Sequence, residues 1–162
     1  MADSSFDIVS KIDQMELDNA FNQCDREIAT RYDFKNTGVK VEKTGGKVLI
    51  EADTEERVKA ALEVFKDKLV KRSVSLKHLE SSEPQLSGKT YRINCEFKEG
   101  ITTENAKKIA KFLKESGPKS LKTQIQGDEL RVSSKSRDDL QTAIAQVKSE
   151  TWDFAVQFTN YR

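Results

Sequence analysis

Cationic side chains that could hold phosphate are the most chemically suggestive residues of this 162-residue sequence. Lys135 and Arg137 flank Ser136 at the predicted start of a helix, and Arg131 lies on the strand before it. Free amides at a helix start and the guanidinium fork of arginine both bind phosphate oxygens. Asp138–Asp139 occupy the same helix start and would repel an anion, so a salt bridge is the alternative role for Arg137.

The segment RYDFK, Arg31 to Lys35, alternates two cations and an acid with two aromatics. We predict that it ends one helix and starts the next strand. In the functional interpretation, Arg31 and Lys35 lie at the rim of a groove between two domains and bind a phosphorylated ligand. In the structural interpretation, Tyr32 and Phe34 pack, Arg31 complements the negative end of the helix dipole, and Asp33 and Lys35 point to solvent.

A third group of cations follows helical spacing. Lys107, Lys111 and Lys114 fall on one side of the predicted third helix, with Lys119 and Lys122 after it. A solvated helix face is one interpretation. The other is an RNA-binding surface, whose affinity would fall steeply with salt as counterions are released.

Residues suited to catalysis or metal binding are sparse. His78 is the single histidine, near a strand end, and we expect a lone surface histidine. A general base is the alternative, and no serine or cysteine nucleophile accompanies His78 in a motif to support it. Acid pairs such as Asp128-Glu129 occur where turns and helix starts ordinarily carry acids. No phosphate-loop, dinucleotide or metalloprotease motif is present. The sequence predicts a binding protein and not an enzyme, with no metal and no cofactor.

A repeat positions these residues. The turn Gly45-Gly46 and the helix cap Thr54 recur 82 residues later as Gly127-Asp128 and Ser136. The apolar positions keep the same offset: Val48, Ile50, Val58, Ala61, Leu62 and Phe65 become Leu130, Val132, Leu140, Ala143, Ile144 and Val147. Turn, strand alternation, cap and buried stripe match without a gap, which predicts an internal duplication.

Each half has the order strand, helix, strand, strand, helix, strand. This order predicts an α+β protein of two ferredoxin-like domains, each a four-stranded antiparallel sheet with helices on one face. We predict a linker over residues 80–88, which contain Pro84 and Gly88. Charged residues make up 34% and mean hydropathy is −0.68. No apolar run predicts a signal peptide or membrane span, and Cys24 and Cys95 are expected to be buried and reduced, so we expect a soluble, cytoplasmic protein.

The strand aromatics bear on the choice of ligand. Tyr91, Phe97, Phe154 and Phe158 fall on the predicted inner side, whereas the open side carries polar residues such as Arg131, Gln124 and Gln157. RNA-recognition sheets stack bases on exposed aromatics. Single-stranded RNA would lack that stacking here, so the pattern favours a small phosphorylated ligand bound through arginines.

Three segments, SFDIVSK, REIATRYDFK and QIQGDELRVSSKSRDDLQ, resemble the YajQ family of small bacterial proteins, and the resemblance covers essentially the whole chain. It implies two ferredoxin-like domains that exchange their first strands. Residues 11–88 would then form the first domain, completed by the strand at 89–97. Residues 98–162 would form the second, completed by the strand at 5–10.

The resemblance also implies a function. Mononucleotides and RNA are associated with the family, and some members resemble cyclic di-GMP effectors that act through transcription factors. We therefore predict a nucleotide or cyclic dinucleotide sensor; RNA binding, for example of tRNA, through Lys107, Lys111 and Lys114 is the alternative. The predicted nucleotide-binding residues are Arg31, Lys35, Arg131, Lys135 and Arg137. No membrane partner is expected, and a homo-oligomer stays an open alternative.

Overall fold

The protein divides into two compact units in the computed structural model, which describes residues 3–162. Unit 1 comprises residues 3–11 and 99–162, and unit 2 comprises residues 12–98. The strands are β1 (Ser4–Val9), β2 (Lys40–Thr44), β3 (Lys47–Ala52), β4 (Leu79–Ser81), β5 (Gln85–Ser87), β6 (Thr90–Phe97), β7 (Lys122–Gln126), β8 (Glu129–Ser134) and β9 (Gln157–Thr159). The helices are α1 (Gln14–Thr30), α2 (Glu55–Lys71), α3 (Thr103–Ser116) and α4 (Arg137–Ser149).

All four helices begin at a side-chain cap. Asp13, Thr54, Thr102 and Ser136 each accept a hydrogen bond from an amide in the first turn of the helix that follows. Such a cap is worth about 1 kcal/mol relative to alanine. The sequence therefore fixes where each helix starts, and with it the position of the residues in its first turn.

The sheet of unit 1 has the strand order β7-β8-β1-β9, with antiparallel neighbours throughout. Phe6 pairs with Val132 and Ile8 with Leu130, which places all four side chains on the face that packs against α3 and α4. This is the ferredoxin-like strand order, so the predicted fold class is confirmed. The opposite face carries the polar residues between them, including Asp7 and Arg131.

The sheet of unit 2 has the order β2-β3-β6-β4, and β5 also pairs with β6. Ile50 and Ile93 are opposite each other in its core, beneath α1 and α2. Cys24 and Cys95 are buried in that core as free thiols, as predicted. Burial raises the pKa of Cys24 to about 12 and that of Cys95 to about 11, so both stay protonated at neutral pH.

The repeated turns have the same geometry in the two units. Gly45 and Gly127 have φ of 60° and 58°, and each begins a two-residue hairpin turn. A positive φ at the first turn residue favours glycine because a side chain there clashes with the backbone. The hairpin β7–β8 is therefore held in one register, which places Ser136 and Arg137 directly after β8.

Three predicted segments are wrong in detail. Arg31 to Lys35 does not start a strand: residues Tyr32–Phe34 form a 3₁₀ turn, and Asn36 beyond it takes a φ of 59°, which breaks an extended chain. The predicted linker at 80–88 contains β5 and part of β4, because both short strands find a partner in β6. The last strand is confined to Gln157–Thr159, so Phe154 precedes it.

Candidate functional site

The start of α4 is built as the sequence predicts. The Ser136 hydroxyl accepts a hydrogen bond from the Asp139 amide at 3.2 Å, and Asp138 and Asp139 lie in the first turn. The Asp139 carboxylate accepts a hydrogen bond from the Ser120 hydroxyl at 2.6 Å. Carboxylates already occupy this helix end, so the amides of α4 by themselves are a poor anion site.

A cavity of about 250 Å³ lies beside this helix start within unit 1. Its floor is apolar, and Arg137, Tyr161 and Arg162 supply polar groups at its rim. The Arg137 Nε atom donates to the Ser4 hydroxyl at 3.2 Å, which fixes the guanidinium over the cavity. The lining residues are Ser4, Ser5, Phe6, Arg137, Leu140, Gln141, Ile144, Tyr161 and Arg162.

The chain segment after β9 forms one wall of this cavity. The Arg162 amide donates to the Ser5 carbonyl at 2.9 Å, and the Ser5 amide donates back to the Arg162 carbonyl at 3.2 Å. Tyr161, which precedes Arg162, is 62% exposed, and its ring centre lies 6.5 Å from that of Phe6. The wall thus presents an exposed aromatic ring next to two arginines, although Tyr161, Arg162 and Ser4 were not predicted from the sequence.

Arg131 is engaged by a buried acid. The Asp7 carboxylate accepts hydrogen bonds from Arg131 Nε at 2.9 Å and Nη2 at 3.3 Å, and from the Asn160 side chain at 2.7 Å. The Arg131 guanidinium, with Asn160 adding a smaller effect, holds the pKa of the Asp7 carboxyl below its ordinary value despite burial. Asp7 is 2% exposed, so this pair is a structural part of the sheet.

Arg31 of unit 2 is also neutralised within the chain. Its guanidinium donates to both Asp33 carboxylate oxygens, at 3.0 and 2.7 Å, lies 3.5 Å from Glu27, and stacks 4.8 Å above the Phe34 ring. Hydrogen bonding to Asp33 raises the pKa of Arg31 further above its usual range. Phe34 is buried as predicted, but Tyr32 is 87% exposed and does not pack. The 3₁₀ turn places it on the surface.

The five predicted nucleotide-binding residues are distributed over both units. Arg131, Lys135 and Arg137 belong to unit 1, and Arg31 and Lys35 to unit 2. Within residues 3–162, Lys35 and Lys135 are exposed and form no ion pair. Arg137 alone of the five lines the cavity at α4. The joint site of all five stays a prediction.

The lysines of α3 border a second depression in unit 1. Lys111 and Lys114, with Lys119 after the helix, surround a groove of about 620 Å³. Lys107 is exposed one turn earlier. No carboxylate of the described chain lies within 4 Å of these four ammonium groups. They are therefore cations without an internal partner.

His78 is buried and not on the surface, contrary to prediction. It is 2% exposed, and its Nδ1 lies 2.8 Å from the Lys98 carbonyl oxygen. The Lys98 amide donates to the His78 carbonyl at 2.8 Å, so the two residues hold the start of β4 against the end of β6. This contact gives His78 a structural role. Among residues 3–162 there is no group of three metal-ligating side chains.

Two other expectations concern the strands and membranes. Tyr91, Phe97 and Phe158 pack against the cores, which confirms that these strand aromatics face inward, and Phe154, which precedes β9, packs there as well. None of the helices within residues 3–162 combines the length and apolar character needed to cross a bilayer.

Comparison with known proteins identifies the family of the chain. The family model described as "Nucleotide-binding protein YajQ-like" matches residues 4–162. A protein of Streptomyces griseus named "Nucleotide-binding protein" is 60% identical over 162 residues, with both chains fully covered. Proteins of the same name from Nocardia farcinica and Mycobacterium tuberculosis are 58% and 57% identical over 163 residues, again with full coverage. The chain belongs to the YajQ-like family.

Proposed function

We propose that this protein binds a nucleotide without transforming it, and that the cavity beside α4 is the binding site. The carrying observation is the rim of that cavity, where Arg137 and Arg162 lie next to the exposed ring of Tyr161 above an apolar floor. Guanidinium groups suit phosphate, and an exposed aromatic ring suits a base. The names of the relatives, which describe them as nucleotide-binding, support the same ligand class.

The size of the cavity bears on which nucleotide is bound. Pockets for small ligands typically span about 300–1,000 Å³, and this one is about 250 Å³. A mononucleotide, or one half of a larger ligand, matches this volume better than an enclosed cyclic dinucleotide. We propose a mononucleotide as the first ligand to test and cyclic di-GMP, sensed on behalf of a partner such as a transcription factor, as the second.

Arg31 and Arg131 have a secondary role in this proposal. Each already holds a carboxylate within the chain, and a phosphate would have to compete with it. Among residues 3–162 no carboxylate lies within 4 Å of the Arg137 guanidinium, which instead donates to a neutral hydroxyl. Because a neutral hydroxyl is easily replaced by a phosphate oxygen, we assign the main phosphate contact to Arg137, with Lys135 near it in sequence.

Isothermal titration calorimetry of the full chain with GMP, GTP, ATP and cyclic di-GMP tests this function. We expect Arg137→Ala to weaken nucleotide binding by about 10–100-fold, because one charge-assisted hydrogen bond is lost. Arg26→Ala, at an exposed arginine of unit 2, is the matched control and should leave affinity unchanged. Absence of binding by all four ligands at about 100 µM would overturn the proposal.

RNA binding through Lys107, Lys111 and Lys114 is the alternative function. The observation in its favour is that none of the three ammonium groups has a carboxylate partner among the described residues. An RNA held there would gain phosphate contacts without stacking, because the groove lining contains no aromatic residue. Its affinity would therefore depend strongly on salt.

We propose a cytoplasmic location. It is supported by Cys24 and Cys95, which are both free and buried, because reduced thiols are the normal state in a reducing compartment. A homo-oligomer is compatible with the proposed cavity, which lies within one unit.

A further inference from the structure

The strand β7 is an open edge of the sheet in unit 1. Among the described strands it pairs with β8 alone. Gln126 and Glu129 close the two-residue turn, so they form a hydrogen-bonded pair, and pairs along the ladder alternate from there. Thr123 and Ile125 consequently direct their amides and carbonyls away from β8. An edge with outward-pointing backbone groups is a template for another strand.

A groove with an apolar floor runs beside this edge, between β7 and α3. Leu113 in its lining is 1% exposed, and Ile125, two residues beyond Thr123 on β7, is 38% exposed. Thr123 and Ile125 point to the side of the sheet that carries α3, since their register partners Val132 and Leu130 belong to the core. The lining residues are Ala110, Lys111, Leu113, Lys114, Pro118, Lys119, Leu121 and Thr123.

The rim of the groove is positively charged and unneutralised. Lys111, Lys114 and Lys119 are exposed, and no carboxylate within residues 3–162 lies within 4 Å of their ammonium groups. Lys122 at the start of β7, which is not part of the lining, forms an ion pair with Asp3 at 3.6 Å. Three unpaired cations around an apolar floor are complementary to an anionic segment that also carries apolar side chains.

We propose that β7 and this groove bind an extended acidic segment of a partner protein, which adds a strand to the sheet. Backbone hydrogen bonds to Thr123 and Ile125 supply affinity, and every second side chain of the segment points into the groove. Apolar side chains contact Leu113 and its neighbours, and carboxylates at either end reach the lysine rim. This surface is separate from the nucleotide cavity and does not depend on it.

Two other occupants fit less well. A second copy of this chain paired edge to edge would bring two sets of Lys111, Lys114 and Lys119 together, and like charges oppose such a contact. An RNA strand would neutralise the lysines but would leave the apolar floor without a partner, and no aromatic residue of the lining offers stacking.

The probe is a labelled heptapeptide, Glu-Thr-Val-Thr-Ile-Thr-Glu, in which alternate residues place two apolar side chains between two acids. Binding to the full-length protein is followed by amide NMR and fluorescence anisotropy. We expect a dissociation constant of about 100 µM, with protection from solvent exchange appearing at the Thr123 and Ile125 amides. The same peptide with lysine in place of both glutamates should bind at least ~10-fold more weakly.

Two variants separate the backbone from the charge contribution. Ile125→Pro removes one outward amide without removing a hydrogen bond to β8, and it should reduce binding at least ~10-fold. Lys111→Glu combined with Lys114→Glu should do the same, and it serves where the proline variant fails to fold. Lys77→Glu with Lys89→Glu, at exposed lysines of unit 2, is the matched control and should bind like the wild type.

Several outcomes would overturn the proposal. One is the absence of peptide binding at about 1 mM. Another is peptide binding that survives both variants. A third is a protein that binds a single-stranded RNA heptamer and not the peptide, and that loses this RNA binding on charge reversal. A dimer in sedimentation analysis that Ile125→Pro dissociates would assign the edge to a second copy instead. Nucleotide titration of the same variants keeps this test independent, because none of the substituted residues lines the cavity beside α4.

Discussion

The two copies of the repeat have the same helix next to the same edge strand but treat that edge differently. Counted from the caps Asp13 and Thr102, the fourth, seventh and eleventh residues are buried in both α1 and α3. These pairs are Leu17 and Ala106, Ala20 and Ile109, and Cys24 and Leu113. The eighth residue differs: Phe21 packs against the core of unit 2, whereas Ala110 lines the groove of unit 1.

The charges on the two helices differ in the same way. The fifth residue is Asp18 in α1 and Lys107 in α3, and Asp18 forms an ion pair with Lys43 of the edge strand β2. Val41 on that strand is buried. Unit 2 therefore fills the space between its edge strand β2 and helix α1 with an aromatic ring and an internal ion pair, and unit 1 leaves a groove at the equivalent place. The buried positions of the helix are alike in the two copies. The exposed positions differ, and in unit 1 they form the proposed binding surface.

The most severe way to break this comparison is to remove a central strand. We propose that β1 and β6 are the exchanged first strands of the two copies, which is supported by the pairing of β1 with β8 and β9. Deleting residues 1–10 should then unfold unit 1, because Phe6 and Ile8 leave its core, while unit 2 retains all of its strands. Amide hydrogen exchange resolved by residue measures this directly.

Isolated fragments sharpen the same prediction. Residues 12–98 contain every strand of the unit 2 sheet, and we expect them to unfold cooperatively in urea. Residues 89–162 lack β1 and should not fold. A well-folded fragment 89–162 would show that the halves are independent of strand exchange.

The next largest effect concerns the cross-strand ion pairs of the two sheets. Asp7→Asn removes the buried carboxylate and leaves the Arg131 guanidinium without its acidic partner. We expect a loss of about 2–3 kcal/mol in the free energy of unfolding. Glu51→Gln breaks a cross-strand pair with Arg92 between β3 and β6 of unit 2, which is more exposed, and should cost under about 1 kcal/mol. Urea denaturation compares the two, and equal losses would contradict the assigned burial.

The pH dependence of stability gives a second readout of Asp7. Its pKa in the folded protein is lowered from 3.8, mainly by Arg131, so the unfolded chain binds more protons in that range. The stabilisation is present at neutral pH and above the unfolded value of 3.8, and it is lost as the pH falls through the lowered folded value. In Asp7→Asn this acid-dependent contribution should disappear, and a curve that keeps its full slope would assign it to other groups.

A smaller effect on stability is expected when the aromatic ring beside the edge strand of unit 2 is removed. Phe21→Ala reproduces the alanine of unit 1, and for a half-buried ring we expect a loss of about 2 kcal/mol in the free energy of unfolding. The reciprocal Ala110→Phe should leave stability within about 1 kcal/mol and reduce binding of the acidic peptide. If Ala110→Phe leaves peptide binding intact, the peptide does not occupy the groove.

The smallest effect should come from the ion pair beside β2, the edge strand of unit 2. Lys43→Ala removes the contact with Asp18, whose side chain is 55% exposed, and we expect under about 1 kcal/mol. High salt should mask most of the difference between variant and wild type, because exposed charges are screened. A larger loss of unfolding free energy in denaturant titrations would contradict the assignment of this pair as an exposed, weakly stabilising contact.

Features with local causes could be predicted from the sequence. The caps Thr54 and Ser136, the glycine turns and the alternation of β6 depend on neighbours in the chain, and the structure has them. The 3₁₀ turn at Tyr32–Phe34 was missed because aromatic alternation imitates a strand. Strand β5 was missed because its pairing partner, and not its composition, makes it a strand.

The residues of the candidate site show the same limit. Asp7 alternates with Phe6 and Ile8, so its sequence position predicts an outward, solvated acid. Its burial depends on Arg131 and Asn160, which are far away in the chain. Tyr161 follows the last strand, and its place at the cavity depends on the pairing of Arg162 with Ser5. An aromatic residue between two polar ones near a strand end was the available signal.

The contact between Gly100 and Ser10 has a consequence for how the protein is made. The Gly100 amide donates to the Ser10 carbonyl at 2.6 Å, so the chain leaves unit 1 and returns to it at one point, with all of unit 2 between. On the ribosome, β1 is made before unit 2, and its partner β8 follows only after unit 2 is complete. At about 5–20 residues per second, β1 waits on the order of ten seconds. Without β8, the apolar side chains of Phe6 and Ile8 have no core to pack against for that time, and exposed apolar side chains make an unfinished chain prone to aggregation.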